Sequence, residues 1–377
     1  MSVSKPSLSI VSHTEHYIKS NGDVVGFEPT VREINNLLQI FDKIYHIAPL
    51  SSDGNMKNHV PYSSNKVIYI PLKKTGGKGV ADKLSIILHA PSNLFKIKTV
   101  ISKTDWVQFR SPANIGIYLL PYLYISNRYK VWVKYAGSWI EPYPPISYRF
   151  QRWFLKMNFL DSKVTVNGSW PGQLQHIVGF ENPCFTLDEL KDARIHSKSK
   201  SFDSQLSICF VGELVKNKGA DIFLESLSML DNTSDIDTVY IVGDGTEMDR
   251  LKDMIDSRIN THFLGLLSRQ DLNLIYQKSH IFILPSKTEG FPKVLSESIA
   301  FGCVPVVSNV SAISQYIGEE NGVLLDSLES SYISNKIKLL MKDRARLRKL
   351  SIEAQKISKL FTYSRYNSRI QNEIIND

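Results

Sequence analysis

The sequence predicts two α/β domains, each built around a parallel β-sheet. Short β-like apolar runs alternate with helix-length segments along most of the 377 residues, a pattern typical of parallel sheets with right-handed crossovers. A chain of this length with 42% hydrophobic residues is also too long for one comfortable core. A polar, Ser/Lys-rich segment at 187–204 interrupts the pattern, which then starts again. We therefore expect domains at 1–186 and 205–359, joined by a linker at 187–204.

In the first half, apolar runs predict strands at residues 8–12, 43–48, 66–70, 105–109, 131–135 and 163–167. A helix is predicted at 29–41, because apolar side chains recur there with helical spacing. Pro29 and Thr30 are a plausible start signal for that helix.

In the second half, the predicted strands cover residues 206–211, 238–242, 262–264, 281–284, 304–307 and 322–325. Helices are expected between them at 220–230, 247–254, 269–278 and 294–301. The last stretch, 330–377, is predicted to contain helices only. This alternation indicates a second doubly wound domain.

Cysteine usage and the chain start favour a cytoplasmic protein. Cys184, Cys209 and Cys303 have no metal-ligand spacing and are odd in number, so we expect buried thiols in a reducing compartment. The N-terminus lacks the apolar core of a signal peptide, and the most membrane-like run, 115–125, is too short to span a bilayer. We therefore expect no transmembrane helix.

The two halves of the chain differ in net charge. Residues 1–185 contain 21 Lys and Arg against 11 Asp and Glu, a net +10, whereas the remainder has 24 against 26. A basic half indicates either an anionic partner, such as lipid headgroups, a lipid diphosphate or nucleic acid, or a merely solvated surface. Tryptophan and arginine mix in segment 118–159, at Trp132, Trp139, Arg149, Arg152 and Trp153. This mixture favours a peripheral membrane or lipid-linked acceptor contact over nucleic acid.

Candidate ligand-binding residues follow the strands of the second domain, where open α/β sheets bind ligands. They are Gly212, Lys218, Gly243, Gly245, Leu264, Glu289 and Glu297. Glycines allow close approach of a ligand to the backbone, and a helix N-terminus favours phosphate. Each residue taken alone is more typical of a surface turn or surface charge, so the prediction depends on their joint occurrence.

Segments 210–227, 241–251 and 263–308 together resemble glycosyltransferase family 4. Glu289 and Glu297 have the spacing of the E-x7-E motif of that family, and the similarity extends over about residues 205–325. The resemblance implies a GT-B fold, with two Rossmann-like domains facing a central cleft. It also implies that a C-terminal helix, at about 360–377, crosses back to complete the first domain.

The resemblance further implies retaining transfer of a sugar from a UDP- or GDP-sugar to a hydroxyl of a glycan or lipid-linked acceptor. Such enzymes serve cell-surface polysaccharide or lipopolysaccharide biosynthesis, and neither a metal nor another cofactor is expected. Glu289 and Lys218 would act at the reacting centre, and Glu297 would bind the ribose. The remaining donor contacts implied are Gly212, Gly243, Gly245, Leu264 beside the base, Gly290, Phe291, Pro292, Lys293 and Val294.

Two positions depart from the family pattern. Glu213 stands where an Arg is usual, so Lys216 or Lys287 would have to replace that cation, and Ala136 stands where an N-domain His is usual. These departures keep open an inactive GT-B-like binding or scaffold protein. A sugar-nucleotide epimerase on the same fold is a further alternative.

Other candidates lie outside that motif region. On the acceptor side we expect His13, Arg110 and Gly137, although Arg110 could equally brace the fold. Asp235 and Asp237 form a D-x-D sequence, which we interpret as a surface turn rather than a metal site because it precedes a strand.

Overall fold

A computed structural model describes residues 5–52, 58–77 and 79–376. They form two compact units. The first comprises the described residues up to Phe180 together with those from Arg365 onward, and the second is Glu181–Ser364. Each unit contains its own β-sheet, which confirms the prediction of two α/β domains.

The first unit contains a 10-stranded sheet in the order β10-β9-β8-β7-β1-β4-β2-β3-β5, with β6 also paired to β4. Its strands are β1 (Ser7–Val11), β2 (His16–Ile18), β3 (Val24–Phe27), β4 (Lys43–Leu50), β5 (His59–Pro61), β6 (Val67–Lys73), β7 (Trp106–Ser111), β8 (Lys130–Tyr135), β9 (Lys163–Val166) and β10 (Ile177–Gly179). The strand prediction for this half is confirmed. The order reverses between β1 and β7, so a topological switch point lies there.

Four short strands escaped prediction, namely β2, β3, β5 and β10. β2, β3 and β5 have only three or four residues each, and the β2–β3 and β3–β5 pairings are antiparallel. Strands this short show no readable periodicity in the sequence. β2 joins the sheet through one parallel bridge between His16 and Leu50, beyond the end of β1, and β10 pairs in parallel with β9.

The helices of the first unit are α1 (Glu28–Leu37), α2 (Val80–Ile101), α3 (Gly116–Ser126) and α4 (Ile146–Lys156). One face of α2 and α3 packs into an apolar core, with Ile97, Ile101, Leu119 and Leu120 fully buried against strand residues such as Phe109. Within the described residues, no helix is both long and apolar enough to cross a membrane.

The second unit contains a six-stranded sheet in the order β13-β12-β11-β14-β15-β16, with every pairing parallel. Its strands are β11 (Leu206–Val211), β12 (Ile236–Val242), β13 (Thr261–Gly265), β14 (Ile281–Leu284), β15 (Val304–Ser308) and β16 (Val323–Leu325). Its helices are α5 (Leu187–Lys198), α6 (Ala220–Ser228), α7 (Met248–Lys252), α8 (Arg269–Lys278), α9 (Lys293–Ala300), α10 (Ser330–Lys342) and α11 (Arg344–Ile357). Helix α12 (Tyr363–Ile370) begins in this unit, and most of it belongs to the first unit. The switch point of this sheet lies between β11 and β14.

The prediction of a linker at 187–204 was wrong. Helix α5 occupies most of it and belongs to the second unit. Thr186 caps the helix by accepting a hydrogen bond from the backbone N–H of Glu189, whose side chain bonds back to the Thr186 N–H. Leu190 and Ala193 are the buried positions of α5. A helix that buries so few side chains has a polar composition, which is why the segment resembled a linker.

The C-terminal segment returns to the first unit, as the resemblance implied. Tyr366, Ile370 and Ile374 pack with Leu8 and Ile34 in one buried apolar cluster. The stretch after residue 330 is helical, including short turns at Ser358–Phe361 and Gln371–Ile375, as predicted.

Candidate active site

The switch point of the second unit is bridged by two loops that bond to each other. The loop after β11 contains a 3₁₀ turn, Lys216–Lys218, and ends at Gly219 in the left-handed conformation. Its Asn217 side chain donates to the carbonyl of Thr288 in the loop after β14, at 3.3 Å. The backbone N–H of Lys287 donates to the Asn217 carbonyl at 2.9 Å. A side chain at Gly219 would collide with the carbonyl of Pro285, so the loops approach closely only with glycine at that position.

Lys218 and Glu289, the two residues predicted at the reacting centre, are brought together across this switch point. Lys218 Nζ lies 2.7 Å from Glu289 Oε1, and the two side chains are 24% and 8% exposed. At such burial a charge needs a partner. The pair therefore places one cation and one carboxylate at the carboxyl edge of the sheet, in contact with each other.

Glu297 is buried in α9 and has a partner that the sequence did not suggest. Arg269 Nη1 donates to Glu297 Oε1 at 2.8 Å, and Nη2 donates to the Cys184 carbonyl at 2.8 Å. Although burial opposes its charge, the carboxylates of Glu297 and Glu189 hold the pKa of Arg269 above its ordinary value. Arg269 thus orients Glu297 through Oε1, and Oε2 can still accept a further hydrogen bond.

Glycines after β11 and β12 serve loop packing. A side chain at Gly243, which has φ 139°, would collide with the carbonyl of Gly212, and one at Gly245 would collide with that of Leu214. Leu214 N–H in turn donates to Asp244 O at 2.9 Å. These glycines let the two neighbouring loops lie against each other at the edge where a ligand would bind.

The other predicted donor residues line the same edge. Gly290 to Val294 lead into α9, with Pro292 at its N-cap and Phe291 buried against Phe361 and Tyr316. Leu264 lies near the end of β13 and is half-buried. In the described part of the chain, three serine hydroxyls near this edge are buried without a recorded hydrogen-bond partner, those of Ser286, Ser296 and Ser308. Polar atoms of this kind are usually satisfied by water or a ligand.

In the first unit, Arg110 braces the fold. It is buried at the end of β7, and its guanidinium donates to Glu33 Oε1 at 3.0 Å and to Gln108 Oε1 at 2.9 Å. Lys134 Nζ bonds the same Glu33 oxygen at 2.6 Å. The acceptor-side alternative for Arg110 is therefore disfavoured.

His13 and Gly137 lie at the carboxyl edge of the first sheet. His13 follows β1 at the switch point. Its side chain is accessible to solvent but surrounded by protein groups, so desolvation together with the nearby charge of Arg110 lowers its pKa. Gly137 packs against the ring of Pro112 in the loop after β8. The chain therefore presents His13, rather than Arg110, to solvent at this edge.

Sequence reasoning missed a buried hydrogen-bond chain behind His13. Ser12 Oγ lies 2.7 Å from His46 Nε2, His46 Nδ1 bonds the Tyr62 hydroxyl, and Tyr62 lies 2.8 Å from His16 Nε2. Burial lowers the pKa of His16 to about 4 and holds that of His46 well below its ordinary value, so both rings are neutral at pH 7.

The tautomers of the two histidines follow from the hydrogen bond at the end of this chain. His16 Nδ1 faces the Thr14 carbonyl at 2.9 Å and must therefore donate. Nε2 of neutral His16 then accepts from Tyr62, Tyr62 accepts from His46 Nδ1–H, and Ser12 donates to His46 Nε2. Each proton has one position, so the chain holds the loop that carries His13 in one conformation. Its members are far apart in sequence, so no local pattern in the sequence indicates that they meet.

Comparison with known proteins finds a family that resembles most of the second unit. Residues 191–357 match the family model described as glycosyl transferases group 1. These residues make up most of the second unit, which is therefore similar to that family. This match confirms the resemblance seen in the sequence.

Two curated relatives and one crystal structure illustrate the similarity. An uncharacterised glycosyltransferase of Haemophilus influenzae is 31% identical over 40% of this chain and 41% of its own length. The Campylobacter jejuni GalNAc-alpha-(1->4)-GalNAc-alpha-(1->3)-diNAcBac-PP-undecaprenol alpha-1,4-N-acetyl-D-galactosaminyltransferase is 28% identical over 48% of this chain and 50% of its own. The chain thus spans half or less of the length of these relatives. Anabaena HepE in complex with UDP and glucose has a TM-score of 0.69 over 98% of this chain and 99% of its own, at 15% identity, which supports the GT-B fold.

The departures from the group 1 pattern can now be located. Glu213 is exposed to solvent, as are Lys216 and Lys287, and Ala136 is exposed after β8.

Asp235 precedes β12 and pairs with Arg344 at 3.0 Å, while Asp237 accepts from Ser207 Oγ at 3.1 Å. The D-x-D sequence therefore lies at the amino end of β12, opposite the edge that carries Lys218 and Glu289.

Proposed function

We propose that this chain is a glycosyltransferase that moves a sugar from a UDP-sugar to a hydroxyl of a lipid-linked glycan. The observation that carries the proposal is the Lys218–Glu289 pair, which joins the loops on both sides of the switch point in a unit similar to the group 1 family. Open α/β sheets bind their ligands at that point. The HepE structure contains UDP, which favours uridine over guanosine as the base.

In this reaction the bond between the anomeric carbon and the diphosphate oxygen breaks, and UDP leaves with the bonding pair. Lys218 and the backbone N–H groups at the start of α9 would stabilise the developing diphosphate charge. The acceptor oxygen bonds to the anomeric carbon on the same face, and its proton leaves with the diphosphate. Glu289, already bonded to Lys218, would orient the sugar, and Glu297, held by Arg269, would accept a hydrogen bond from the ribose.

A donor panel tests this proposal. UDP-, GDP- and ADP-sugars are compared by thermal shift, and we expect UDP-sugars to raise the melting temperature, because ligands that bind only the folded state stabilise it. Glu297→Ala should weaken UDP affinity by roughly 1–3 kcal/mol, the scale of a lost charged hydrogen bond. Asp244→Ala, an exposed carboxylate at the same edge, is the control. A shift with GDP-sugars alone would refute the uridine assignment, and unchanged affinity of Glu297→Ala would refute the ribose role.

The lipid-linked acceptor is supported by a surface that the first unit exposes. Helix α2 has large apolar side chains that are 60% to 76% exposed along one stripe, at Val80, Leu84, Ile87, Leu88 and Phe95. The adjacent α3 continues it with Ile117, Tyr124 and Ile125. We call these eight residues the helical apolar surface. Large apolar side chains exposed together on two neighbouring helices are typical of a protein or membrane contact.

Charge favours a membrane over a protein partner for the helical apolar surface. Residues 79–160 contain 11 Lys and Arg against 3 Asp and Glu, and Lys83, Lys96 and Lys98 are exposed on α2 itself. An amphipathic helix with apolar and basic side chains lies in the membrane interface rather than across it. We therefore propose peripheral association with the inner face of the membrane, where polysaccharide or lipopolysaccharide precursors carry their lipid. The undecaprenol in the name of the Campylobacter relative agrees with this acceptor class.

Liposome co-sedimentation across a salt series tests the membrane proposal. Binding should require anionic lipid and fall with salt, since each basic side chain near such a leaflet contributes about 1 kcal/mol. Ile87→Ser/Leu88→Ser should abolish most binding, whereas Leu339→Ser, equally apolar and exposed on α10, should not. Arg152 is unsuitable as a test because it is buried and bonds backbone carbonyls. A wild type that ignores anionic liposomes at low salt would refute the proposal.

A further inference from the structure

A cavity of about 770 Å³ opens in the first unit, and three of the five tryptophans of the chain line it. Trp139 lies in the loop after β8, Trp153 on α4, and Trp170 in the loop after β9. The cavity has the size typical of small-ligand sites. Its tryptophans come from segments that are separated in sequence, so only the fold brings them together.

The cavity lies at the edge of the sheet where ligands are expected. Both loops leave the carboxyl ends of neighbouring parallel strands, β8 and β9, on the side of the β1–β7 switch point toward β10. Trp139 also shares its loop with Gly137, which was predicted on the acceptor side. The cavity is therefore placed to serve a ligand of the first unit.

The walls of the cavity are held rigidly by buried polar side chains. The Arg152 guanidinium donates to the carbonyls of Trp139 and Glu141, both at 2.7 Å. On the other wall, Gln173 accepts from the Trp170 N–H at 3.2 Å and donates to the Ile177 carbonyl at 2.7 Å. Walls fixed before binding lower the entropic cost of holding a ligand.

The lining combines aromatic faces with polar groups in a recessed site. Trp139 is buried against Tyr135, with ring centroids 5.0 Å apart, and Lys156 Nζ lies 5.8 Å from its ring. Trp153 is 51% exposed and backed by Phe159. Arg149 and Glu141 supply charged hydrogen-bonding groups at the rim.

We propose that this cavity binds pyranose rings of the acceptor glycan. A pyranose has an apolar face of C–H groups, which packs on an aromatic ring, and a rim of hydroxyls, which bond to groups such as guanidinium and carboxylate. A bilayer needs protruding side chains, whereas Trp139 is recessed. This inference rests on the proposed function, because it names the part of the acceptor that the first unit recognises.

Saturation-transfer NMR with a panel of methyl glycosides tests the inference. The probes are methyl α-D-glucoside, methyl α-D-galactoside and their 2-acetamido counterparts. At least one should bind the wild type, and Trp153→Ala should weaken that binding about tenfold or more, equivalent to about 1.4 kcal/mol. Arg149→Ala should also weaken it. Both changes are at exposed positions, so folding should be unaffected.

Two controls separate this inference from the proposed function. Tyr143→Ala removes a 91% exposed aromatic ring from the β8–α4 connection outside the cavity lining and should leave glycoside binding unchanged. UDP affinity, measured on every variant, should also be unchanged. If UDP binds but no glycoside does, or if Trp153→Ala binds glycosides normally, the cavity assignment is wrong and the donor proposal stands. If brominated anionic vesicles quench Trp153 fluorescence instead, the cavity is a membrane contact and the inference also fails.

Discussion

The loops at the carboxyl edges of the two sheets are held by different kinds of polar contact. In the second unit the edge is organised by ion pairs, Lys218 with Glu289 and Arg269 with Glu297. The first unit also has buried ion pairs, which Arg110 and Lys134 form with Glu33, but the loop that carries His13 is held by a neutral chain that runs from Ser12 to His16 through His46 and Tyr62. Ion pairs suit a site that must hold an anionic leaving group, whereas a neutral chain fixes a loop without adding charge. Under the proposed function, diphosphate chemistry would belong to the second unit and acceptor positioning to the first.

The largest expected effect is on the stability of the second unit. Arg269→Met should lower the free energy of unfolding by roughly 3–5 kcal/mol, because it leaves buried Glu297 without its cation. Denaturant unfolding measures it. Arg348→Met is the control, since the Arg348–Asp203 pair is exposed and such pairs contribute little. Equal unfolding midpoints for both variants would mean that the edge does not depend on its ion pairs.

The next effect is on catalysis. Lys218→Ala should lower kcat by about 10²–10³, the loss typical of removing one group that stabilises developing negative charge. Lys278→Ala, which changes an exposed lysine in the last turn of α8 next to the amino end of β14, is the control. Steady-state turnover of the UDP-sugar gives both values. If the two variants lose the same factor, Lys218 has no special role in leaving-group departure.

A smaller effect concerns the pH dependence of the stability of the first unit. The pKa of His16 is lowered to about 4, with burial as the main cause and the charge of His59 adding to it, while the Thr14 carbonyl opposes it. The folded state therefore binds fewer protons than the unfolded state between about pH 6.5 and 4, so stability falls as pH falls through that window.

His16→Gln should flatten this slope by roughly 1–3 kcal/mol across the window. His262→Gln, an exposed histidine on β13, should leave the slope unchanged. The free energy of unfolding, measured from pH 7 to pH 4, gives the comparison. An unchanged slope in His16→Gln would show that His16 does not take up a proton in this window.

The sequence predicted the two units unequally for a physical reason. Glu289 and Glu297 lie on one loop and helix, so their spacing was readable, and the alternating strands predicted both sheets. Arg269 could not be predicted as the partner of Glu297, because the contact depends on how α8 and α9 pack. The 187–204 segment was wrongly interpreted because α5 buries only a thin stripe.

In the first unit, the contacts that matter join residues far apart in sequence. Ser12, His46 and Tyr62 meet only after the parallel strands have paired, and no short motif contains them. Trp132 and Trp153 lie in the same aromatic and basic segment, so the sequence did not distinguish their environments. The structure separates them, because Trp132 is buried with its ring N–H donating to Thr165 at 3.0 Å, whereas Trp153 is half exposed.

The smallest expected effect concerns divalent metal. If Lys218 and the α9 N-terminus neutralise the diphosphate, chelator should leave the turnover rate unchanged, because the charge compensation is already built from protein groups. Asp235 and Asp237, the metal-like pair in the sequence, lie at the opposite end of β12 and are bonded to Arg344 and Ser207. The measurement is turnover of the UDP-sugar under increasing EDTA, with Asp237→Asn compared with the wild type. Loss of turnover that Mg²⁺ or Mn²⁺ restores would show that the ion pairs of the second unit are insufficient, and the contrast between the two edges would have to include a metal.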